Sequence, residues 1–395
     1  MNRIISKSVL LTTLAFGLGA SSEAETMRQS VAASEAGKFC GWPANSGLWR
    51  WDGGREILVG FTFGDFVEQK NHNIKGVSDA ASGLLNRLAR SRDGGRTWTV
   101  EVPENFVGNG TVVKDSPGGF DFEAPDFALR VVGTGYHGSQ DPMGAFLVSP
   151  DRGKTWQGAY RLGALMEDAN LKGMALTART RYLVTGPRSC LLFMSARPGE
   201  SKPGEIATDK AFVAETTDGG KSFQFVSWIV PLSDPYRAVM PAVGRLPDGT
   251  IIATLRRRDV VNDGKKKIPC WVDCYASKDN GRSWSFASRV GDTGMENGNP
   301  PGLTVLKDGR VVCAYGDRSR VKMFARVSAD GGKSWDAEVV LREDFQPDKF
   351  GDKDLGYPQL TTSNRGEVLA LYYWATKDQP QHHIAATLWN PDPPQ

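Results

Sequence analysis

The side chains best able to do chemistry are few, and they sit in corresponding places. The chain holds only four histidines; His72 follows the run FTFGDF and His137 lies in GYHGSQD, each in a polar loop just past an apolar stretch. A histidine titrates near neutral pH, so either could exchange protons with a substrate, and either could equally be a hydrogen-bonded surface residue. His382 and His383 follow the last polar loop and read as strand-edge residues. Arginines recur at the same kind of position: Arg197 in FMSARP, Arg237 in PYRAVMP, Arg256 opening the triplet of TLRRRD, and Arg318 and Arg320 in YGDRSR. One arginine at a strand end is ordinarily solvated, but several brought to one place would form an anion-binding floor, because a guanidinium fork matches a carboxylate. Asp65, at the end of FTFGD, supplies a carboxylate, and Tyr357 in DLGYP supplies a phenol that is either a nucleophile or a channel-lining ring. Trp42 in GWPANSG is either core or a stacking platform for a sugar ring, and Asn299 in ENGNPP either shapes a turn or bonds a sugar hydroxyl.

What must position these residues is a repeated element. SRDGGRTW (residues 91–98) returns as SPDRGKTW (149–156), TTDGGKSF (216–223), SKDNGRSW (277–284) and SADGGKSW (328–335). In each copy the Ser or Thr and the Asp can bond backbone amides of their own loop. Glycine supplies the positive φ of a tight reversal, and the closing aromatic starts the next strand. Strand-like runs precede the copies, as in GAFLVS and KMFARVS. Asp93, Asp151, Asp218, Asp279 and Asp330 are therefore structural, and no chemistry is assigned to them. The upstream strands repeat too: RLPDGTIIATLRRRD, VLKDGRVVCAYGDRS and TSNRGEVLALYYWATKD share a turn, an apolar strand and a polar exit. Counting looser versions gives six units, the last (357–389) without the turn. A period of this size signals a radial array, and the layout predicts an all-β fold: a six-bladed β-propeller of four-stranded antiparallel blades with five such turns. In a propeller, ligands meet the residues at inner-strand exits around the central channel.

The turn is the Asp-box, and with this layout the chain resembles the sialidase superfamily of Asp-box (BNR-repeat) propellers over residues 40 to 390. The resemblance implies an exo-acting glycoside hydrolase releasing a terminal acidic sugar, with a glycan as its partner. Sialidases hold the substrate carboxylate with three arginines, use a tyrosine assisted by a glutamate as nucleophile, and use an aspartate as acid/base. Carried over by position, Tyr357 is the nucleophile, Arg256 the middle arginine, Arg318 or Arg320 the third, and Asp65 the acid; Arg197 and Arg237 are further anion-binding candidates. The chain departs from the pattern twice. Trp42 of GWP stands where the family has the arginine of R-I-P, and RAVMPAVGRL, where the activating glutamate belongs, contains no Glu. A polysaccharide lyase acting on uronates, in which a Tyr or His takes the proton beside a carboxylate neutralised by arginine, fits without that glutamate. So does a glycan-binding propeller that cleaves nothing.

Composition narrows the rest. A formal net charge of +3 over 395 residues is too small to suggest a nucleic-acid partner. MNRIISK is basic, VLLTTLAFGLGA is a short apolar run and SSEAET offers small residues, so residues 1–24 read as a signal peptide and the protein as secreted or periplasmic. Residues 25–39 read as a linker and 40–395 as the propeller. No later stretch could span a membrane. Cys40, Cys190, Cys270, Cys274 and Cys313 are an odd set, read as core residues. No cofactor motif and no metal-ligand spacing is present.

Overall fold

Each repeated turn is closed by its own side chains. In the first, the Gly95 amide donates to Ser91 Oγ at 2.8 Å, and Asp93 accepts the amides of Arg96 and Thr97 at 3.0 and 2.9 Å and the Thr97 hydroxyl at 2.6 Å. Asp151, Asp218, Asp279 and Asp330 accept the same set from their own loops. The closing ring then packs beneath: Trp98, Trp156 and Trp284 each donate Nε1–H to a box glycine carbonyl at 3.1–3.2 Å. A loop that satisfies its own polar groups folds wherever its residues are written, which is why one phrase recurs five times.

A computed structural model of the chain describes residues 27–70, 72–76, 85–106, 113–132, 144–177, 179, 181–198, 209–260, 267–295 and 297–392. The protein is all-β, and hydrogen bonding groups its strands into antiparallel arrays in chain order. The first is built on Glu56–Asp65 and Leu85–Ser91, the second on Ala128–Val132 and Ala145–Ser149, and the third on Ser189–Pro198 and Lys210–Thr216. The fourth runs from Arg237–Arg245 to Ser285–Met295, and touches the third by a single parallel bridge at Lys210 and Ala238. The fifth runs from Gly302–Val305 to Val339–Arg342, and the sixth contains Gly356–Thr362, Val368–Trp374 and His383–Trp389.

Strands such as Val368–Trp374 are buried on both faces, and alternate residues serve different neighbours. In Ser189–Pro198, Leu192 and Met194 pack toward the second array while Leu191 and Phe193 pack toward the fourth. Apolar clusters of this kind lie between each successive pair of arrays, and one of them joins Leu369 and Tyr373 of the sixth to Ile57 and Phe61 of the first. All five cysteines are free and buried, and Cys40, Cys190, Cys274 and Cys313 lie in these layers.

From residue 27 on, the stretch 25–39, expected to be a linker, is built into the fold. Met27–Ala33 pairs antiparallel with His383–Trp389 and supplies the outer strand of the sixth array. The same pairing explains the missing turn. In the other arrays the Asp-box joins the last two strands; in the sixth those two strands come from opposite ends of the chain, so no turn connects them. The expected signal peptide lies outside the described residues.

Candidate functional site

Side chains from three arrays, the first, fifth and sixth, converge on one buried carboxylate, Asp354, in the segment that leads into Gly356–Thr362. His72 Nδ1 lies 2.7 Å from Asp354 Oδ2, and Arg318 donates to Oδ1 at 2.7 Å. The Tyr373 hydroxyl also donates to Oδ1 and lies 3.1 Å from Arg318 Nη2. His382 Nε2 bonds the Asp354 carbonyl at 2.7 Å. Trp42 sits over this cluster, edge-on to His72 at 5.2 Å and close to Tyr373. Burial opposes charge on Asp354, yet the cations His72 and Arg318 outweigh it and hold the carboxyl well below its usual range. Burial likewise works to lower His72, and Asp354 overrides it, so the imidazole holds its proton above its ordinary value. His382 is pushed down, because there burial outweighs the pull of the Asp354 charge. The product is an ion pair in which a carboxylate orients and charges an imidazole.

Beside it lies a second group. The Tyr357 hydroxyl is 3.4 Å from Arg256 Nη1, and Arg256 Nη2 donates to Asn297 Oδ1 at 2.6 Å. Tyr357 stacks edge-on to Tyr373 at 5.9 Å, which links it to the Asp354 cluster. Its backbone is held by Asn299, whose Oδ1 accepts the Tyr357 amide at 2.8 Å and whose Nδ2 donates to the Leu355 carbonyl at 2.9 Å. The hold is needed: Tyr357 has φ 51°, a left-handed conformation that a bulky residue adopts only under constraint. Trp42 (φ 50°), His72 (φ 61°) and Met240 (φ 56°) are in the same region, so four of the nine non-glycine residues with positive φ among the described residues meet here. Such strain persists where surrounding structure over-determines it, and it concentrates at functional sites. Arg179 supplies part of that constraint. Fully buried, it donates to the carbonyls of Met240 (2.5 Å), Pro301 (2.6 Å) and Pro358 (3.2 Å), tying three arrays at their inner edges.

The expected residues thus divide. Tyr357, Arg256, Arg318, His72 and Trp42 come together, and Asn299 acts as the strut beneath Tyr357. The stretch that lacks the glutamate brings Met240 instead, with its sulfur 3.9 Å from Arg256 Nη1. Asp65 lies elsewhere: its exposed carboxylate is 2.7 Å from Lys38. Arg237 pairs with buried Asp209 at 2.7 Å. Arg320 is taken up by Asp317 and Glu338 and stacks on Phe324. Arg197, half-buried at the end of its strand, has no hydrogen bond to the cluster among the described residues. His137 lies outside them. Sequence reasoning missed Asp354, Tyr373 and Arg179. The DKDLGYP phrase offered a signal, since a carboxylate three residues before the tyrosine invites a partner.

A groove of about 1320 Å³ opens from the cluster toward the fourth and fifth arrays; Asn297, Arg318 and Asp352 belong to both. Asp352 also accepts the His72 amide at 3.2 Å.

An all-β propeller with a strained, charged cluster at the inner ends of its strands is the class this geometry defines. Residues 122–369 match the BNR repeat-like domain family, and the chain belongs to that family. No curated protein matches it. Among solved structures it is similar to a protein of unknown function from Dyadobacter fermentans (18% identity, covering 92% of this chain and 99% of that one, TM-score 0.65). It is similar also to the alpha-L-arabinanase of Penicillium chrysogenum (13% identity, 88% and 96% covered, TM-score 0.55). A Hadza microbial sialidase shares the fold at 14% identity, with 86% of this chain and 64% of that one covered and a TM-score of 0.56. At these identities the likeness is one of fold.

Proposed function

We propose that the protein is an exported, carbohydrate-active enzyme: an exo-acting glycoside hydrolase that removes a terminal acidic sugar. The observation that carries this reading is the meeting of a charged His72–Asp354 pair with the Arg256–Tyr357 contact in one strained cluster. In this reading Arg256 receives the carboxylate of the sugar, and Trp42 shapes the wall beside it. His72, kept protonated by Asp354, donates a proton at Nε2 to the departing glycosidic oxygen as the C–O bond breaks. Tyr357 Oη is the nucleophile that bonds the anomeric carbon as that C–O bond breaks, its proton passing to solvent water. A second water, giving its proton to the now neutral His72, then attacks the same carbon, the bond to Tyr357 breaks, and the phenolate takes a proton back from solvent. The naming of fold relatives as an arabinanase and a sialidase supports glycan cleavage as the reaction class, and the basic, then apolar N-terminus supports export.

The test is turnover of fluorogenic sialosides and uronosides by the mature protein beside Tyr357→Phe and His72→Gln. Turnover that survives both substitutions would sink the assignment. The mature N-terminus, read by mass spectrometry, should begin near residue 25.

A second reading is favoured by one observation. Among the described residues no carboxylate contacts the Tyr357 hydroxyl; its polar partner is a guanidinium. That arrangement suits removal of the proton beside a uronate carboxylate, as a lyase does. An unsaturated product absorbing in the near ultraviolet distinguishes the two.

A further inference from the structure

The groove that leaves the cluster has a lining unlike that of a neutral-sugar platform. Neutral pyranoses are commonly gripped by stacking on aromatic rings, whose apolar faces match the C–H faces of a sugar. No Trp, Tyr or Phe lines this groove among the described residues. Charge lines it instead, with the cations Lys267, Arg289, Arg318, Arg320, Arg326 and Lys353 outnumbering the carboxylates Asp292, Asp317, Glu338 and Asp352. Arg318 is spent on Asp354, Arg320 on Asp317 and Glu338, and Arg289 on Asp292. Three further cations line the wall without a carboxylate partner among the described residues. Lys267 and Lys353 are exposed, while Arg326 donates only to the carbonyls of Val290, Trp335 and Asp336. Behind Asn297, which lines the groove, Arg256 has only neutral hydrogen-bond partners among the described residues, the oxygens of Asn297 and Tyr357 and the sulfur of Met240. A surplus of cations along one groove is matched by negative charges repeated along one ligand.

The size agrees. About 1320 Å³ exceeds the roughly 300–1,000 Å³ of a site for one small ligand, so the trough has room for several sugar residues beyond the one at Tyr357.

We propose that this groove is a subsite for an acidic polysaccharide, a chain bearing uronate or sulfate on successive residues, whose terminal sugar reaches Arg256. This rests on reading the cluster as a glycan-cleaving site and adds the substrate class: a polyanionic polymer in place of a neutral glycan capped by one acidic sugar.

The experiment is calorimetric binding of the mature chain to uronate oligomers of increasing length, to a sulfated oligomer on a neutral backbone, and to that neutral backbone alone. The hexamer should bind at least about tenfold more tightly than the dimer at low ionic strength, an advantage that salt erodes. The neutral backbone should show no gain with length. In the charge-reversed double variant Lys267→Glu/Lys353→Glu the length advantage should vanish while the melting temperature holds, since both lysines are exposed. A length gain for the uronate but not the sulfated series would identify carboxylate as the recognised group, and the reverse would identify sulfate. Equal binding of dimer and hexamer, persistence of the advantage in the double variant, or equally tight binding of a single-stranded oligonucleotide of the same charge would overturn the proposal. Because the readout is binding, it separates from the catalytic reading. Length-dependent binding without turnover would remove the hydrolase and keep the groove, and turnover without length dependence would do the opposite.

Discussion

Asp330 and Asp354 are both carboxylates held below the ordinary range, by opposite means. Asp330 is exposed in the fifth Asp-box. The Ser334 hydroxyl and the amides of Ser334 and Lys333, all within its own loop, pull it down to about 2. Asp354 is buried, and its position there is bearable only because His72, Arg318, Tyr373 and His382 reach it from elsewhere in the fold. The first carboxylate is a local device that works in five places. The second exists once, and it depends on residue 72 meeting residue 354 across a separation of 282 positions. Structural aspartates can be copied, whereas the aspartate that organises a site has to be assembled.

Substitution at the two positions should separate them. Asp354→Asn leaves Arg318 buried without its counter-charge and should cost about 3–5 kcal/mol in denaturant unfolding, with turnover lost as well. A cost no larger than that of a box substitution would erase the distinction. Tyr357→Phe removes one hydroxyl beside Arg256 and should leave the unfolding midpoint nearly in place while lowering turnover by at least about 100-fold; an unchanged rate would place the chemistry elsewhere. Asp330→Ala deletes bonds that water can partly replace, and should cost about 1–2 kcal/mol with activity intact.

The pH dependences sharpen the contrast at smaller amplitude. A box aspartate with a depressed folded value stabilises the protein above its unfolded value of about 3.9. That contribution is lost as pH falls through the folded value of about 2. Acid melting should therefore steepen across that window, and Asp330→Ala should flatten it slightly. His72 runs the other way. Its raised value means that its stabilisation is complete below about 6.5 and fades as pH rises through the higher folded value. An activity that needs the protonated imidazole should persist above pH of about 6.5; an alkaline limb at or below that point would rule out His72 as the proton donor.

The repeat was legible because it is written in contiguous residues whose bonds close within the loop. The period of the copies led directly to an all-β propeller. Tyr357, Arg256, Arg318, His72 and Trp42 were legible for a related reason: each follows or opens an apolar strand, and strand ends face the channel. Asp65 shared that signal and lies at the surface beside Lys38, because sequence position does not say which way a strand-end side chain points. The N-terminal strand was unreadable. MRQSVAA alternates too weakly to announce itself, and its role comes from pairing with residues some 350 positions away.

What this sequence determined by itself was everything that closes over short range: the turns, the strands they join, the two-faced burial pattern and the fold class. Tertiary structure alone decided the charge state and company of Asp354, the strained backbone that Arg179 and Asn299 hold at Met240 and Tyr357, and the surplus of cations along the groove. The physical reason is distance along the chain. A carboxylate's protonation and a guanidinium's surplus charge are set by neighbours within a few ångströms, and here those neighbours arrive from different arrays.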